Sequence, residues 1–131
     1  LRSILEAGYI PVVSPIGMGA DGATYNLNAD FAAGALAGAL EASKFILMTD
    51  VPGVLSDPDD PTSLISELTR EQARRMLENG RVSGGMIPKV KAGFFALDNG
   101  VKKVHVIDGR IEHSILLELF TDAGIGTEMM K

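Results

Sequence analysis

Two short apolar runs, KFILMT at 44–49 and KVHVI at 103–107, restrict the fold of this sequence more than any other feature. Both are nearly all apolar at their centres, and each predicts a buried strand. Strands without polar alternation are typical of parallel sheets, which are covered on both faces. The β-branched run 9–16 predicts a further buried strand, and the segment from Gly124 onward predicts a terminal one.

Helical segments separate these strands along the chain. Helices are predicted at 28–42, 69–79, 86–99 and 113–121. The second has a strong start signal, because Thr69 and Gln72 form a capping-box pattern. Strands that alternate with helices predict an α/β fold with a mostly parallel sheet between helical layers.

The composition sets limits on function. The chain has 131 residues, 46% apolar and 22% charged, which is typical of one soluble domain. Its net charge of −5 argues against nucleic-acid and anionic-membrane partners. It has no cysteine, so disulfides and thiolate metal sites are excluded. No segment is apolar for long enough to predict a membrane span.

Ligands of parallel sheets bind beyond the carboxyl ends of the strands, which selects the loops 17–30, 49–56, 80–89 and 108–113. The stretch GMGADG at 17–22 matches the glycine spacing of a dinucleotide site. That site needs a helix to start within the glycines, whereas ATYNL intervenes here. A flexible glycine loop is therefore the favoured interpretation of 17–24.

The stretch YNLNAD at 25–30 carries three polar side chains before a helix. If it is extended, Asn26 and Asn28 point the same way. Asn28 or Asp30 then falls at the helix N-cap, a position that Asn and Asp prefer. Simple capping and a polar cluster that binds substrate or lysine both remain open. Likewise, Thr49 and Asp50 fit either a polar strand exit or a loop that contacts nucleotide.

The stretch SGGMIPK at 83–89 places Lys89 in the first turn of a helix that has no acid there. Helix N-termini repel cations, so this lysine costs about 0.3–1 kcal/mol if it is merely solvated. The alternative is an anion site. Backbone N–H groups beside Gly84 and Gly85 form a natural phosphate cradle, and a bound anion makes the lysine favourable.

Taken together, the stretches YNLNAD, KFILMTDVPGVL, GGMIPKV, VHVIDGR and LLELFTDAGIGTEM resemble the C-terminal half of the acetylglutamate kinases, within the amino-acid kinase family. The resemblance covers essentially the whole chain, and complete members are about twice as long. It implies a three-layer αβα sandwich in which 1–131 is a single nucleotide-binding domain and the N-terminal half is absent. It also implies phosphoryl transfer from ATP to the side-chain carboxylate of N-acetyl-L-glutamate, in arginine biosynthesis. Magnesium is expected to be held mainly by the nucleotide, with no dedicated metal ligands.

The resemblance also implies roles for individual residues. Lys89 matches a catalytic lysine, Asp30 the aspartate that orients the catalytic lysines, and Asn26 a substrate ligand. Asn28 joins Asn26 in the predicted substrate site. The predicted nucleotide-binding residues are Thr49, Asp50, Val51, Gly53, Leu55, Arg81, Ser83 and Met86. The predicted arginine-effector residues are His105, Glu118 and Gly124. The alternative for Glu118 is an ordinary surface position on an amphipathic helix.

The implied partners are ATP or ADP, N-acetyl-L-glutamate, and L-arginine as an inhibitor. A homo-oligomer is expected for the full-length enzyme, in the cytoplasm or, in a eukaryote, in an organellar stroma or matrix. The family's first catalytic lysine, its paired phosphate-binding glycines and its main substrate arginine lie in the N-terminal half, so this chain alone is expected to be inactive. The alternative function is a non-catalytic module that senses nucleotide or an amino acid. A dehydrogenase-type dinucleotide domain ranks third.

Overall fold

The fold is described from a computed structural model that covers residues 1–131. The helices are α1 (Arg2–Glu6), α2 (Ala29–Ala39), α3 (Arg70–Glu78), α4 (Met86–Asp98) and α5 (Ser114–Phe120). The strands are β1 (Ile16–Met18), β2 (Thr24–Asn26), β3 (Lys44–Thr49), β4 (Glu67–Thr69), β5 (Lys103–Asp108) and β6 (Thr127–Met130). The chain is therefore an α/β protein, as its alternating pattern predicts.

A four-stranded sheet in the order β3-β5-β6-β4 forms the centre of the molecule. β3 pairs with β5 in parallel, and β4 pairs with β6 in parallel. The one antiparallel pair is β5 with β6. The sheet is thus mostly parallel, as predicted. Thr49 lies opposite Asp108, so the carboxyl ends of β3 and β5 meet at one edge.

Helices α2, α3 and α4 cover one face of this sheet, and α5 covers part of the other. Phe45, Leu47, Val104 and Val106 point into the main core together with Phe94 of α4. The alternating residue His105 faces the opposite way and contacts Glu118 of α5. Two helical layers around a sheet give the predicted three-layer sandwich.

Close packing of α2 on α4 depends on two glycines. A Cβ atom at Gly34 would lie 3.1 Å from the Ala92 carbonyl oxygen, and one at Gly38 would lie 2.7 Å from Cβ of Asn99. Side chains at these positions would push the helices apart, since interiors have little spare volume. This contact fixes the start of α2 beside the start of α4.

The predicted buried strand at 9–16 is wrong. Only Ile16 lies in a strand, and Ile10 and Val12 are 91% and 97% exposed. β-branched residues favour extended backbone, but a strand also needs a neighbour to accept its hydrogen bonds, and Pro11 lacks an N–H. No strand of this chain pairs with 9–15.

The predicted flexible loop at 17–24 is also wrong in part. β1 and β2 form a small antiparallel hairpin in which Met18 pairs with Thr24. The turn is held by Asp21, whose carboxylate accepts hydrogen bonds from the Ala23 amide and the Tyr25 hydroxyl. Two further short elements, α1 and β4, have no counterpart among the predicted elements.

Candidate nucleotide-binding site

A cavity of about 260 Å³ lies beyond the carboxyl end of β3. It lies between the loop that follows β3 and the segment that leads into α4. Its lining residues are Thr49, Asp50, Val51, Gly53, Val54, Leu55, Pro58, Arg81, Val82, Ser83, Gly85, Met86 and Lys89. The structure thus brings all eight predicted nucleotide residues, and the predicted catalytic lysine, to one cavity.

The first wall of the cavity is the loop between β3 and β4. It leaves the sheet at Asp50 and folds back on itself. Leu55 and Leu64 form an isolated antiparallel β-bridge, and the Ile65 amide donates a hydrogen bond to the Val54 carbonyl at 2.9 Å. Val54 is 1% exposed and anchors the loop in the core. Thr49 and Asp50, the polar residues at the end of β3, therefore also belong to the cavity wall.

The second wall is the segment from Arg81 to Met86. Val82 is 3% exposed and its amide donates to the Met76 carbonyl, which fixes the segment at the end of α3. The amides of Ser83, Gly84 and Gly85 donate to no acceptor within the chain. A Cβ atom at Gly84 or Gly85 would touch nothing within 4 Å. The start of α4 thus combines three amides without an internal acceptor and two glycines without close neighbours, as is typical of a phosphate cradle.

The side chain of Lys89 is not solvated. Its Nζ donates a hydrogen bond to Oδ1 of Asp30 at 2.9 Å, and the two side chains are only 20% and 18% exposed. The interpretation of Lys89 as a solvated lysine is therefore wrong. Asp30 lies in the first turn of α2, where a carboxylate is favourable. It offsets the charge conflict that Lys89 creates at the start of α4.

The two asparagines of the predicted substrate site have different environments. Asn28 is the N-cap of α2, and its Oδ1 accepts the Phe31 amide at 3.1 Å. Asn26 lies in β2 opposite Ile16 and is exposed. Helix capping therefore explains the position of Asn28. Asp30 instead contacts Lys89, as the hypothesis of a lysine-binding polar cluster predicted.

A guanidinium lies at the neighbouring strand end, in the last part of the motif VHVIDGR, where the sequence pattern predicted no role for Asp108 or Arg110. Asp108 is 4% exposed and accepts hydrogen bonds from the Nε, the NH2 group and the amide of Arg110 at 2.7–2.9 Å. These bonds, the side-chain ones foremost, hold the pKa of Asp108 below its ordinary value. The Gly109 amide donates to the Thr49 carbonyl at 2.8 Å, which ties this turn to the cavity edge.

The three predicted effector residues form a second, closed cluster on the other face of the sheet. Nδ1 of His105 lies 2.6 Å from Oε1 of Glu118, and each side chain is 5% exposed. Oε2 of Glu118 accepts the amides of Ile125 at 2.7 Å and Gly126 at 3.1 Å. A Cβ atom at Gly124 would lie 2.9 Å from the same oxygen. The interpretation of Glu118 as an ordinary surface residue is therefore wrong.

Opposing effects act on the Glu118 carboxyl. Burial raises its pKa, but the Ile125 amide, the His105 ring and the Gly126 amide together lower it below its ordinary value. The other ring nitrogen of His105, Nε2, is buried and has no hydrogen-bond partner. A buried nitrogen without a partner is costly, so this face of the cluster has unused capacity for a polar ligand.

None of the helices has the length and apolarity needed to cross a bilayer. No group of three or more His, Asp or Glu side chains is arranged to hold a metal ion.

The sequence of this chain is similar to those of known kinases. The amino acid kinase family model matches residues 1–108. The acetylglutamate kinase of Caldanaerobacter subterraneus subsp. tengcongensis is 54% identical over 131 residues, and that of Symbiobacterium thermophilum is 51% identical over 131 residues. Both alignments cover 100% of this chain, but only 44% and 45% of the two relatives. The chain thus spans less than half the length of these curated relatives.

The crystal structure of N-acetylglutamate synthase from Neisseria gonorrhoeae, complexed with coenzyme A and L-arginine, superposes with a TM-score of 0.87 at 33% identity. That match covers 99% of this chain and 30% of the synthase chain. The family match extends over most of the sequence and includes the end of β3 and the start of α4, which both line the cavity. This chain therefore belongs to the amino acid kinase family.

Proposed function

We propose that this chain is the nucleotide-binding part of a longer acetylglutamate kinase, which transfers the γ-phosphoryl group of ATP to the side-chain carboxylate of N-acetyl-L-glutamate. The observation that carries the proposal is the cavity beyond β3, where eight predicted nucleotide residues and Lys89 come together. The two acetylglutamate kinases that are 54% and 51% identical support the choice of acceptor. The nucleotide enters as its magnesium complex, with the metal held mainly by the phosphates.

The geometry suits phosphoryl transfer, in which catalysis is mainly positioning and stabilisation of negative charge. The amides of Ser83, Gly84 and Gly85 have no acceptor within the chain, which leaves them available to phosphate oxygens. Lys89 lies at the same helix start, and Asp30 holds its ammonium group in place. A cation that is already oriented stabilises the charge that develops on the transferring group without further reorganisation.

A longer polypeptide is part of this proposal. The apolar segment 9–13 contains Ile10 and Val12 at more than 90% exposure, and no strand of this chain pairs with it. An extended apolar segment of this kind is costly to leave in water. We infer that the remaining length of the kinase covers it and supplies the other catalytic lysine, the phosphate-binding glycines and most of the acetylglutamate pocket. This chain alone then binds nucleotide without turnover.

We further propose that L-arginine inhibits the complete kinase through the cluster of His105, Glu118 and Gly124. The buried Glu118 carboxylate suits a guanidinium or an ammonium group, and Nε2 of His105 has no partner. The structurally similar synthase was crystallised with L-arginine. The expected signature is inhibition by millimolar arginine that Glu118→Ala abolishes while uninhibited turnover persists. A velocity unchanged by arginine, or inhibition that survives the substitution, would refute this role.

The alternative is a non-catalytic module of the same fold that senses nucleotide or an amino acid. Both functions need the cavity, but only the kinase needs Lys89 for turnover. An assay of the longest native product decides between them, with hydroxylamine trapping the acyl phosphate. Formation of acyl phosphate dependent on Lys89 supports the kinase. Nucleotide binding without acyl phosphate supports the sensor.

The nucleotide site itself is tested by calorimetric titration of this chain with MgADP, with NAD as the comparison ligand. We expect one MgADP per chain and no heat from NAD. Arg81→Ala should weaken binding, because Arg81 lines the cavity. The matched control is Arg74→Ala, since Arg74 lies on the outer face of α3 and pairs with Glu71 and Glu78. Equal affinity for both variants would place the nucleotide elsewhere.

A further inference from the structure

Thr127 is a buried polar side chain that the proposed mechanism does not use. It lies at the start of β6 and is 0% exposed. Its hydroxyl accepts the Val54 amide at 2.9 Å and donates to the Ile65 carbonyl at 2.6 Å. One hydroxyl group therefore satisfies a donor and an acceptor on the loop that forms the first wall of the cavity.

The contact is close on the side of the cavity. A Cβ atom at Gly53 would lie 2.8 Å from the Thr127 hydroxyl, so the loop backbone packs directly on this side chain. Gly53 and Val54 both line the cavity. The position of the loop backbone at Gly53 and Val54 thus depends on the position of the Thr127 hydroxyl.

The backbone just before Thr127 is fixed by the second cluster. The amides of Ile125 and Gly126 both donate to the Glu118 carboxylate. Gly126 packs so tightly that a Cβ atom there would overlap the Val106 carbonyl. A continuous set of short contacts therefore runs from Glu118 through 125–126 to Thr127 and on to Val54.

We propose that Thr127 is a positioning residue that couples the Glu118 cluster to the nucleotide cavity. This inference rests on the proposed function of the cavity. A change at Glu118 shifts the amides of 125–126, moves the Thr127 hydroxyl, and so changes the wall at Gly53 and Val54. The coupling is reciprocal: if a ligand at the Glu118 cluster changes the affinity for nucleotide by some factor, nucleotide changes the affinity for that ligand by the same factor.

The first test compares Thr127→Val with Thr127→Ser. Valine keeps the shape but leaves the Val54 amide and the Ile65 carbonyl without partners, whereas serine keeps the hydroxyl. We expect Thr127→Val to weaken MgADP binding about tenfold, and Thr127→Ser to stay within about threefold of wild type. Thr121→Val is the matched control, since the Thr121 hydroxyl caps the exposed end of α5.

Hydrogen exchange of the Val54 amide gives a readout that needs no nucleotide. Exchange should be faster in Thr127→Val and also in Glu118→Gln, although Glu118 does not touch Val54. Unchanged exchange in Glu118→Gln would overturn the coupling, and this variant decides the matter even where Thr127→Val does not fold. If wild type binds no MgADP, the proposed function fails, while exchange still tests the role of Thr127.

A double-mutant cycle completes the test. Glu118→Gln should weaken MgADP binding about threefold in the wild-type background, and should have almost no further effect beside Thr127→Val. Effects that simply multiply would show that the two sites act independently and would overturn the proposal.

Discussion

The nucleotide cavity and the Glu118 cluster use polar groups in opposite ways. At the cavity, three backbone amides are free and the glycines before α4 face open space. In the cluster, the carboxylate already has an imidazole and two amides as partners, and both side chains are 5% exposed. The first site, in the function proposed above, receives an anion. The second is closed, so a ligand can reach the carboxylate or Nε2 of His105 only if the surrounding protein moves.

This difference suits the open site to catalysis and the closed site to regulation. An open, preorganised site binds with little rearrangement, which favours catalysis. A ligand that binds a closed site changes the conformation of the protein, and that change can alter other sites.

In the complete kinase, Lys89→Ala should lower kcat about a hundred- to a thousandfold, or about 3–4 kcal/mol, with a much smaller rise in the nucleotide KM. The reason is that Lys89 is needed most where charge develops on the transferring phosphoryl group. Lys89→Arg should restore only part of kcat, because its planar fork places the charge differently. Steady-state kinetics and melting curves on the same preparations measure both effects.

Lys91→Ala is the control for this substitution, since Lys91 is exposed and forms no ion pair. It should leave kcat within about twofold of wild type. A preserved kcat with a lowered melting temperature in Lys89→Ala would mean that the pair with Asp30 serves stability alone.

Glu118→Ala should lower the free energy of unfolding of this chain by about 2–3 kcal/mol. The loss leaves the amides of Ile125 and Gly126 and the His105 ring without their acceptor in a buried site. Urea unfolding measures the change. Glu112→Ala, on an exposed carboxylate of the preceding loop, should change it by less than about 0.5 kcal/mol. Similar values for the two variants would show that the cluster is not closed in solution.

Gly85→Ala should separate stability from binding at the open site. Gly85 has right-handed helical dihedrals and a Cβ atom there meets nothing, so alanine should stabilise the chain by about 0.4–1 kcal/mol. The same methyl group enters the proposed phosphate cradle and should weaken MgADP binding several-fold. Calorimetry beside urea unfolding reports both quantities. Undiminished affinity in the stabilised variant would argue against a cradle at this position.

The smallest expected effect is the dependence of stability on pH that Glu118 contributes. Its pKa is lowered in the folded chain, so its contribution is complete above about pH 4.5 and is lost as the pH falls through the folded value. Glu118→Gln should therefore lose less stability than wild type between about pH 7 and about pH 3.5. Parallel urea curves at the two pH values decide this, and equal losses would contradict the lowered pKa.

Local patterns were enough to predict much of this molecule. The strands at 44–49 and 103–107 and the capping box of Thr69 with Gln72 follow from short-range rules. Those rules act within a few residues. They therefore describe where elements form, but not which distant strand each one pairs with.

The remainder depended on contacts between distant parts of the chain. The segment 9–15 has strand-forming residues but no neighbour, while β4 has only Glu67–Thr69 and exists because β6 pairs with it. The ion pair of Lys89 with Asp30 spans 59 residues, and no local pattern could show it. The resemblance, which matches Asp30 to an aspartate that orients the catalytic lysines, implied this contact.

The position of β6 has a consequence for biosynthesis. This strand comprises Thr127–Met130, yet it lies inside the sheet, between β5 and β4. During vectorial synthesis β4 has no partner until residues 127–130 leave the ribosome, so the sheet cannot close before they emerge. Nascent chains stalled before Thr127 would expose Leu68 and the edge of β5, and should be substrates for chaperones or proteases. Removing the four residues of β6 should lower the free energy of unfolding far more than removing the five residues of α1, none of which is buried.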